Sequence, residues 1–351
     1  MKKIISLFNN KGGVGKTTTI WNLAYSLASK DKNIMIIDFD PQCNLSVAML
    51  GIDGFSSLLN RSEEFPFGKT IRSFTQPYIQ QNRGEKIFVK EPLFTDEEAK
   101  KLNIQIIPGD FWLNQFADIL NVGTDIVSGS GLYRFLIIEE LIERVEKENK
   151  ISYDYVLIDL PPSFNTLVRA ALYCSDYFLV PCTPDLFSAY CVELIGEVLP
   201  NFITDWTQGK ERYLSSNKYD EVIPKKGKPK FGGWIFNGFD TRKNIEIGAD
   251  RAQYKIIEKS IKEKLIPSLQ KIKVYDAVPG FIKETAVAKI EDLNVMAPDS
   301  INQNTPLKFL MTRRPTRNLT DRGAWAPNQI NLMKKIDSEY DKLAEYIINN
   351  F

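Results

Sequence analysis

Apolar residues along this chain follow two rhythms. In the first they run almost unbroken, at Ile4-Ile5-Ser6-Leu7-Phe8, Asn33 to Phe39, Ile104 to Ile107, Tyr153 to Asp159, Tyr177 to Pro181 and Phe231 to Asn237. Runs without polar alternation predict strands buried on both faces. In the second they recur every three or four residues, predicting helices at Thr19 to Ser29, about Phe111 to Leu120, Leu132 to Lys147, Ala189 to Leu199 and Asp250 to Leu265. Alternation of the two rhythms predicts an α/β fold, a mostly parallel, twisted sheet with helices on both faces. A short strand is expected near Lys271 to Tyr275. The last helix, Gln329 to Asn350, carries one stripe of Ile330, Met333, Ile336, Tyr340, Leu343 and Ile347.

Two stretches break the pattern and read as insertions, at about 52–103 and 208–230, within one domain spanning 1–351. The first mixes charge with Phe, Pro and Gln, with some helix near Thr95 to Leu102, and reads as an accessory surface lobe. The second ends in the basic loop Pro224 to Lys230. A further loop, Thr312 to Arg322, holds Arg313, Arg314, Arg317 and Arg322.

Composition narrows the chemistry. The net charge of +1 over 351 residues argues against a protein basic throughout, though not against a local basic face. There is no histidine, so zinc sites built on His and an imidazole base are excluded. Cys43, Cys174, Cys182 and Cys191 form no CxxC pair and read as reduced, buried residues of a cytoplasmic protein. No apolar run is expected to approach a membrane-spanning length.

The chemistry begins at Asn10-Lys11-Gly12-Gly13-Val14-Gly15-Lys16-Thr17-Thr18, between the first strand and the first helix. A Gly-rich turn there gathers backbone N–H groups into one concavity at a helix N-terminus, a cradle for phosphate. Lys16 would reach the β- and γ-phosphates, and the Thr17 hydroxyl would serve Mg²⁺. The ordinary GxxxxGK[ST] pattern is absent, because Asn10 stands where its first glycine belongs. Asp38 and Asp40 close one predicted strand. Asp159, before Pro161-Pro162, closes another in the manner of a Walker B carboxylate.

Lys11-Gly12-Gly13-Val14-Gly15-Lys16-Thr17-Thr18 resembles the deviant P-loop of the ParA/MinD family of ATPases. Ile37 to Ser46, Asp159 to Ser163, Val180 to Asp185 and Trp234 to Arg242 are similar to further family segments. With no helix-turn-helix before the loop, the likeness is to the compact ParA type. The resemblance implies a P-loop NTPase fold, ATP/ADP and Mg²⁺ as cofactors, and a homodimer formed with ATP. Lys11 would cross that interface to the facing nucleotide, Asp40 would orient or deprotonate the attacking water, Asp38 and Asp159 would hold the metal's water shell, and Asn237 would contact adenine. Expected partners are nonspecific DNA and a ParB-like or other activating adaptor, in plasmid or chromosome partitioning or cargo positioning. Lys225, Lys226, Lys228, Arg313, Arg314 and Arg317 are the candidate DNA contacts. The alternatives are a MinD-like ATPase binding membrane through its last helix, and a nucleotide-gated adaptor with little turnover. That helix mixes Asp337, Glu339, Asp341 and Glu345 with Lys334, Lys335 and Lys342 on its polar face, so core packing is expected instead.

Overall fold

The unbroken apolar runs become six strands of a seven-stranded sheet. In the computed structural model, which describes residues 2–80, 84–93, 96–122, 125–242, 245–273, 275–276, 278–316 and 323–351, these strands are β1 (Lys3–Leu7), β2 (Ile34–Asp38), β3 (Ile104–Ile107), β4 (Tyr155–Asp159), β5 (Tyr177–Cys182) and β6 (Lys230–Phe239). A two-stranded ribbon follows, β7 (Thr241–Arg242) with β8 (Ile245–Glu246), and the sheet ends in β9 (Ala288–Glu291). The order is β3-β2-β4-β1-β5-β6-β9, and the pairings are parallel. Sequence reading missed β9, whose Lys289 and Glu291 interrupt an otherwise short apolar pattern at the sheet edge.

The crossovers between parallel strands place the helices in two layers. On one face lie α1 (Lys16–Ala28), α2 (Asn44–Leu50), and, after a return from the far edge, α14 (Leu307–Leu310) and α15 (Pro327–Asn350), which pack together. α3 (Ile52–Leu59) and α4 (Arg72–Ile79) belong to the first insertion. Phe55, Leu58, Ile71 and Phe74 of that insertion are buried in the main core, so it is more than an accessory lobe. Its expected helix near 95–102 is a single 3₁₀ turn at Ala99–Lys101, and Thr95 lies outside the described residues.

The other face carries α5 (Leu113–Asn121), α6 (Leu132–Phe135), α7 (Ile137–Asn149), α8 (Thr166–Cys174), α9 (Leu186–Ser216), α10 (Gly248–Ser260) and α11 (Ile266–Gln270). The predicted helix 132–147 is therefore two, broken at Leu136. α9 runs far past Leu199 and absorbs the first part of the expected 208–230 insertion. By length and composition it is apolar enough to cross a membrane, against expectation. Its Val192, Ile195, Leu199, Ile203 and Trp206 are buried in the core. Among the described residues of 271–275, which leave out 274, no strand is formed: a turn follows α11, and the Tyr275 hydroxyl accepts a hydrogen bond from the Phe231 amide. α12 (Pro279–Lys283) and α13 (Met296–Asn302) complete the chain. On α15, Met333, Ile336, Tyr340, Leu343 and Ile347 are buried, so the stripe is spent on packing with α1 and β9, as core packing requires.

Candidate nucleotide site

At the carboxyl ends of the central strands, where the connections from the neighbouring strands β1 and β4 run in opposite directions, to β2 and to β5, α/β sheets form their ligand crevice. β1 delivers the Gly-rich loop to that edge, and the register Leu7↔Asp159 and Asp38↔Asp159 brings β4 and β2 beside it. Gly15 caps α1 with φ +79°, and Gly13 has φ +74°, backbone that favours glycine. A Cβ on Gly15 would also lie 2.1 Å from Asn237 Nδ2.

Lys16 is buried. Its Nζ donates to the backbone oxygens of Asn9 at 3.0 Å and Lys11 at 3.1 Å, folding over the loop it belongs to. Burial lowers its pKa, against the pull of Asp159 and Asp40. Asn9 stiffens the loop by donating to Pro181 O and accepting from the Lys11 amide. Lys11 behaves differently. Its Nζ leaves the loop to pair with Asp185 and to donate to Thr183 Oγ1 at 2.7 Å. Burial alone would raise the Asp185 carboxyl, but hydrogen bonds from Lys11, Thr183 and the Ser188 amide outweigh it and hold the pKa below its ordinary value.

The three acidic candidates converge. Thr17 Oγ1 donates to Asp159 Oδ2 at 2.7 Å, and Ser46 donates its amide and its hydroxyl to Asp38 Oδ2 at 2.8 and 2.6 Å. The second oxygens of these carboxylates, Asp38 Oδ1 and Asp159 Oδ1, are buried without a hydrogen-bond partner. Two orphaned carboxylate oxygens and a threonine hydroxyl are hard donors, and they fit Mg²⁺ with water and phosphate completing the shell. Among the described residues no cluster of three or more ligating side chains forms an all-protein cage. Burial, then the proximity of other carboxylates, raises the pKa of Asp159; burial leads for Asp38 too, and a cation relieves both. Asp40 is buried, with Oδ1 accepting from the Gln42 amide, and burial raises its pKa.

Asn237, on β6, donates from Nδ2 to Val14 O at 2.9 Å and so closes the far side of the loop. Beside it lies a cleft of about 130 Å³ lined by Gly13, Val14, Gly15, Thr18, Gly238, Asp292, Leu293 and Tyr340, among others. Asp292 and Leu293 follow β9, the strand that sequence reading missed. Thr183 and Asp185 stood in a recognised segment without an assigned role, and their relation to Lys11 needed coordinates. Gly12 is exposed, while Val14 is buried.

The expected DNA contacts do not converge. Lys226 is largely buried, paired with Glu139 of α7 at 2.7 Å and donating to Cys174 O at the end of α8. Lys228 donates to Lys273 O, and Lys225 is exposed on the same loop. Arg313 and Arg314 follow α14 on the opposite face of the sheet, and Arg317 lies outside the described residues. A buried ion pair has taken Lys226, and the sheet divides the rest.

The sequence model of one family, described as an AAA domain, matches residues 2–209. An uncharacterised protein of Methanocaldococcus jannaschii is 32% identical over 227 residues, 64% of this chain and 76% of that one. The chromosome partitioning protein ParA of Caulobacter vibrioides is 31% identical over 186 residues, 53% of this chain and 58% of its own length. A putative plasmid partition protein of Borrelia burgdorferi bound to AMPPNP shares the fold at 16% identity, with a TM-score of 0.54 over 99% of both chains.

Proposed function

The chain belongs to the ParA/MinD family of P-loop ATPases, and from that premise we propose that it is an ATP-dependent dimerising switch acting in DNA partitioning or cargo positioning. In this reading the loop from Lys11 to Thr18 binds ATP, Asn237 borders the base, and Thr17, Asp38 and Asp159 hold Mg²⁺, which supplies charge neutralisation at the phosphates. Asp40 orients or deprotonates the attacking water. The ATP dimer binds DNA without sequence preference, and an adaptor triggers hydrolysis.

The carrying observation is the contrast between two lysines of one loop. Lys16 turns inward onto its own loop, whereas Lys11 turns outward onto Asp185 and Thr183. An ammonium aimed away from its own phosphate cradle serves the nucleotide of a second copy, where the γ-phosphate charge offsets its desolvation. Leu186, Phe187 and Tyr190, exposed at 62, 72 and 58%, stand immediately after Asp185 and supply apolar surface for that second copy to cover.

Size-exclusion of wild type and Lys11→Ala with Mg-ATP, with and without DNA, tests the switch. The ATP dimer is expected to vanish in the variant while nucleotide binding persists; an unchanged profile overturns the reading. Phosphate release that Asp40→Ala abolishes, with ATP binding intact, separates turnover from a binding-only adaptor.

A further inference from the structure

Which surface meets DNA is a separate question, and the inference here rests on the DNA-binding reading above. We propose that the lobe made by residues 61–80 and 84–90, centred on Phe65, Lys69, Arg72 and Lys86, is a phosphate-contacting face for the backbone of duplex DNA. These residues hold five Lys or Arg (61, 69, 72, 86, 90) against three Glu (63, 64, 85), an excess of two in a chain whose whole net charge is +1. Glu85 offsets none of these, because it pairs with Arg144 of α7.

The lobe holds its cations on aromatic rings. Lys69 Nζ lies 4.2 Å and Lys86 Nζ 4.6 Å from the ring centre of Phe65, whose edge is packed by Phe88, and Arg72 lies 5.4 Å over Trp112. The hydrogen-bond acceptors beside them are neutral: Glu64 O for Lys86 and Gln76 Oε1 for Arg72. An ion pair would cancel each charge, as Glu139 does for Lys226. A cation–π contact fixes an ammonium in place and leaves its charge whole. Lys69 and Lys86 therefore keep their positive charge, while Arg72 feels the Asp110 carboxylate without an ion pair to it among the described residues. An acidic peptide would need an apolar pocket for an anchoring side chain, but cations and Phe88 already cover Phe65. A phosphodiester backbone needs only charge.

The lobe is also tied to the nucleotide site. Ile71 donates its amide to Pro108 O, and Thr70 Oγ1 donates to Asp110 Oδ2 at 2.6 Å, at the carboxyl end of β3. Next to Asp110, the Gly109 amide donates to Ser46 Oγ, which donates to Asp38. A continuous set of hydrogen bonds and peptide links thus runs from a candidate metal carboxylate to the residue beside Lys69.

The test is fluorescence anisotropy of a labelled duplex of arbitrary sequence with the full chain and Mg-ATP, from about 50 to 200 mM salt. Lys69→Gln/Arg72→Gln/Lys86→Gln removes three contacts from each protomer, so the slope of log affinity against log salt is expected to fall by about 2.7 for each protomer on the duplex, at about 0.9 per phosphate. Lys225→Gln/Lys228→Gln is expected to keep the wild-type slope, and size-exclusion with ATP reports whether each variant still forms the dimer. A wild-type slope in the triple variant overturns the assignment of the surface alone. Wild type that binds no duplex with ATP overturns the DNA reading as well. Binding of a polyglutamate peptide in place of duplex, lost in the triple variant, gives the surface to an acidic partner and overturns the proposal.

Discussion

Lys11 and Asp185 form an ion pair within one chain, bridging the start of the phosphate loop to the N-cap of α9 across 174 residues. Any second molecule that recruits Lys11 competes with that carboxylate. Asp185→Asn removes the competing charge yet retains an oxygen able to accept from the Ser188 amide, so the cap on α9 survives. Partly exposed pairs contribute up to about 1 kcal/mol, and the variant is expected to dimerise at ATP concentrations about two- to fivefold lower. Sedimentation velocity across an ATP titration checks this. Dimerisation at unchanged or higher ATP would mean that Asp185 positions Lys11 rather than restraining it.

Asp159 Oδ2 accepts from Thr17 while Oδ1 is buried without a partner. Asp159→Asn keeps an acceptor for Thr17 and removes the charge that a divalent cation would balance. ADP binding in EDTA is expected to be similar in variant and wild type. Added Mg²⁺ should strengthen wild-type binding, and the variant should lose about tenfold or more in metal affinity. Calorimetric titrations with and without Mg²⁺ read both quantities.

The phosphate loop was legible because its chemistry is local: glycines, lysines and a threonine at fixed spacing after a buried strand. β2 and β4 were equally plain, since strands covered on both faces have no polar residue until Asp38 and Asp159 reach the crevice. Local pattern failed where partners are distant. β9 is a four-residue edge strand with two charges, and α8 is a short helix whose Asn165 cap is its clearest mark. α9 continues through Gln208 to Ser216 because a solvated helical face needs no apolar residues, so polarity alone made it resemble an insertion. Neither the turn of Lys11 toward Asp185 nor the capture of Lys226 by Glu139 can be read from spacing, because each pair is joined only by the fold.

Gly15→Ala separates fold from site. The substitution forces a side chain into φ +79° and drives a Cβ to 2.1 Å from Asn237 Nδ2, which must release Val14 O. The backbone term costs about 1–3 kcal/mol. Thermal unfolding should therefore remain cooperative at a lower midpoint, while binding of a fluorescent ATP analogue falls more than tenfold. Full nucleotide affinity in the variant would show that Asn237 has no part in closing the site.

Lys226 supplies the sharpest contrast between charge as seen in sequence and charge as spent in structure. Its ammonium pairs with Glu139 and lies 4.0 Å from Asp176; burial alone would lower its pKa, but these two carboxylates outweigh burial and raise it. Lys226→Met leaves Glu139 unpaired in a largely buried place, and breaking such a pair costs about 3 kcal/mol or more. Chemical denaturation should report that loss. The double variant Lys226→Met/Glu139→Leu should recover most of it, because an apolar pair of similar volume avoids the desolvation of both charges. The sign with pH follows from the raised value: the lysine's contribution is complete below its ordinary pKa of about 10.4 and fades only as pH rises through the higher folded value. The gap between wild type and the single variant should therefore hold from neutral pH to about 10, with DNA binding of the double variant unchanged. Loss of DNA binding in that stable double variant would return Lys226 to the nucleic-acid surface.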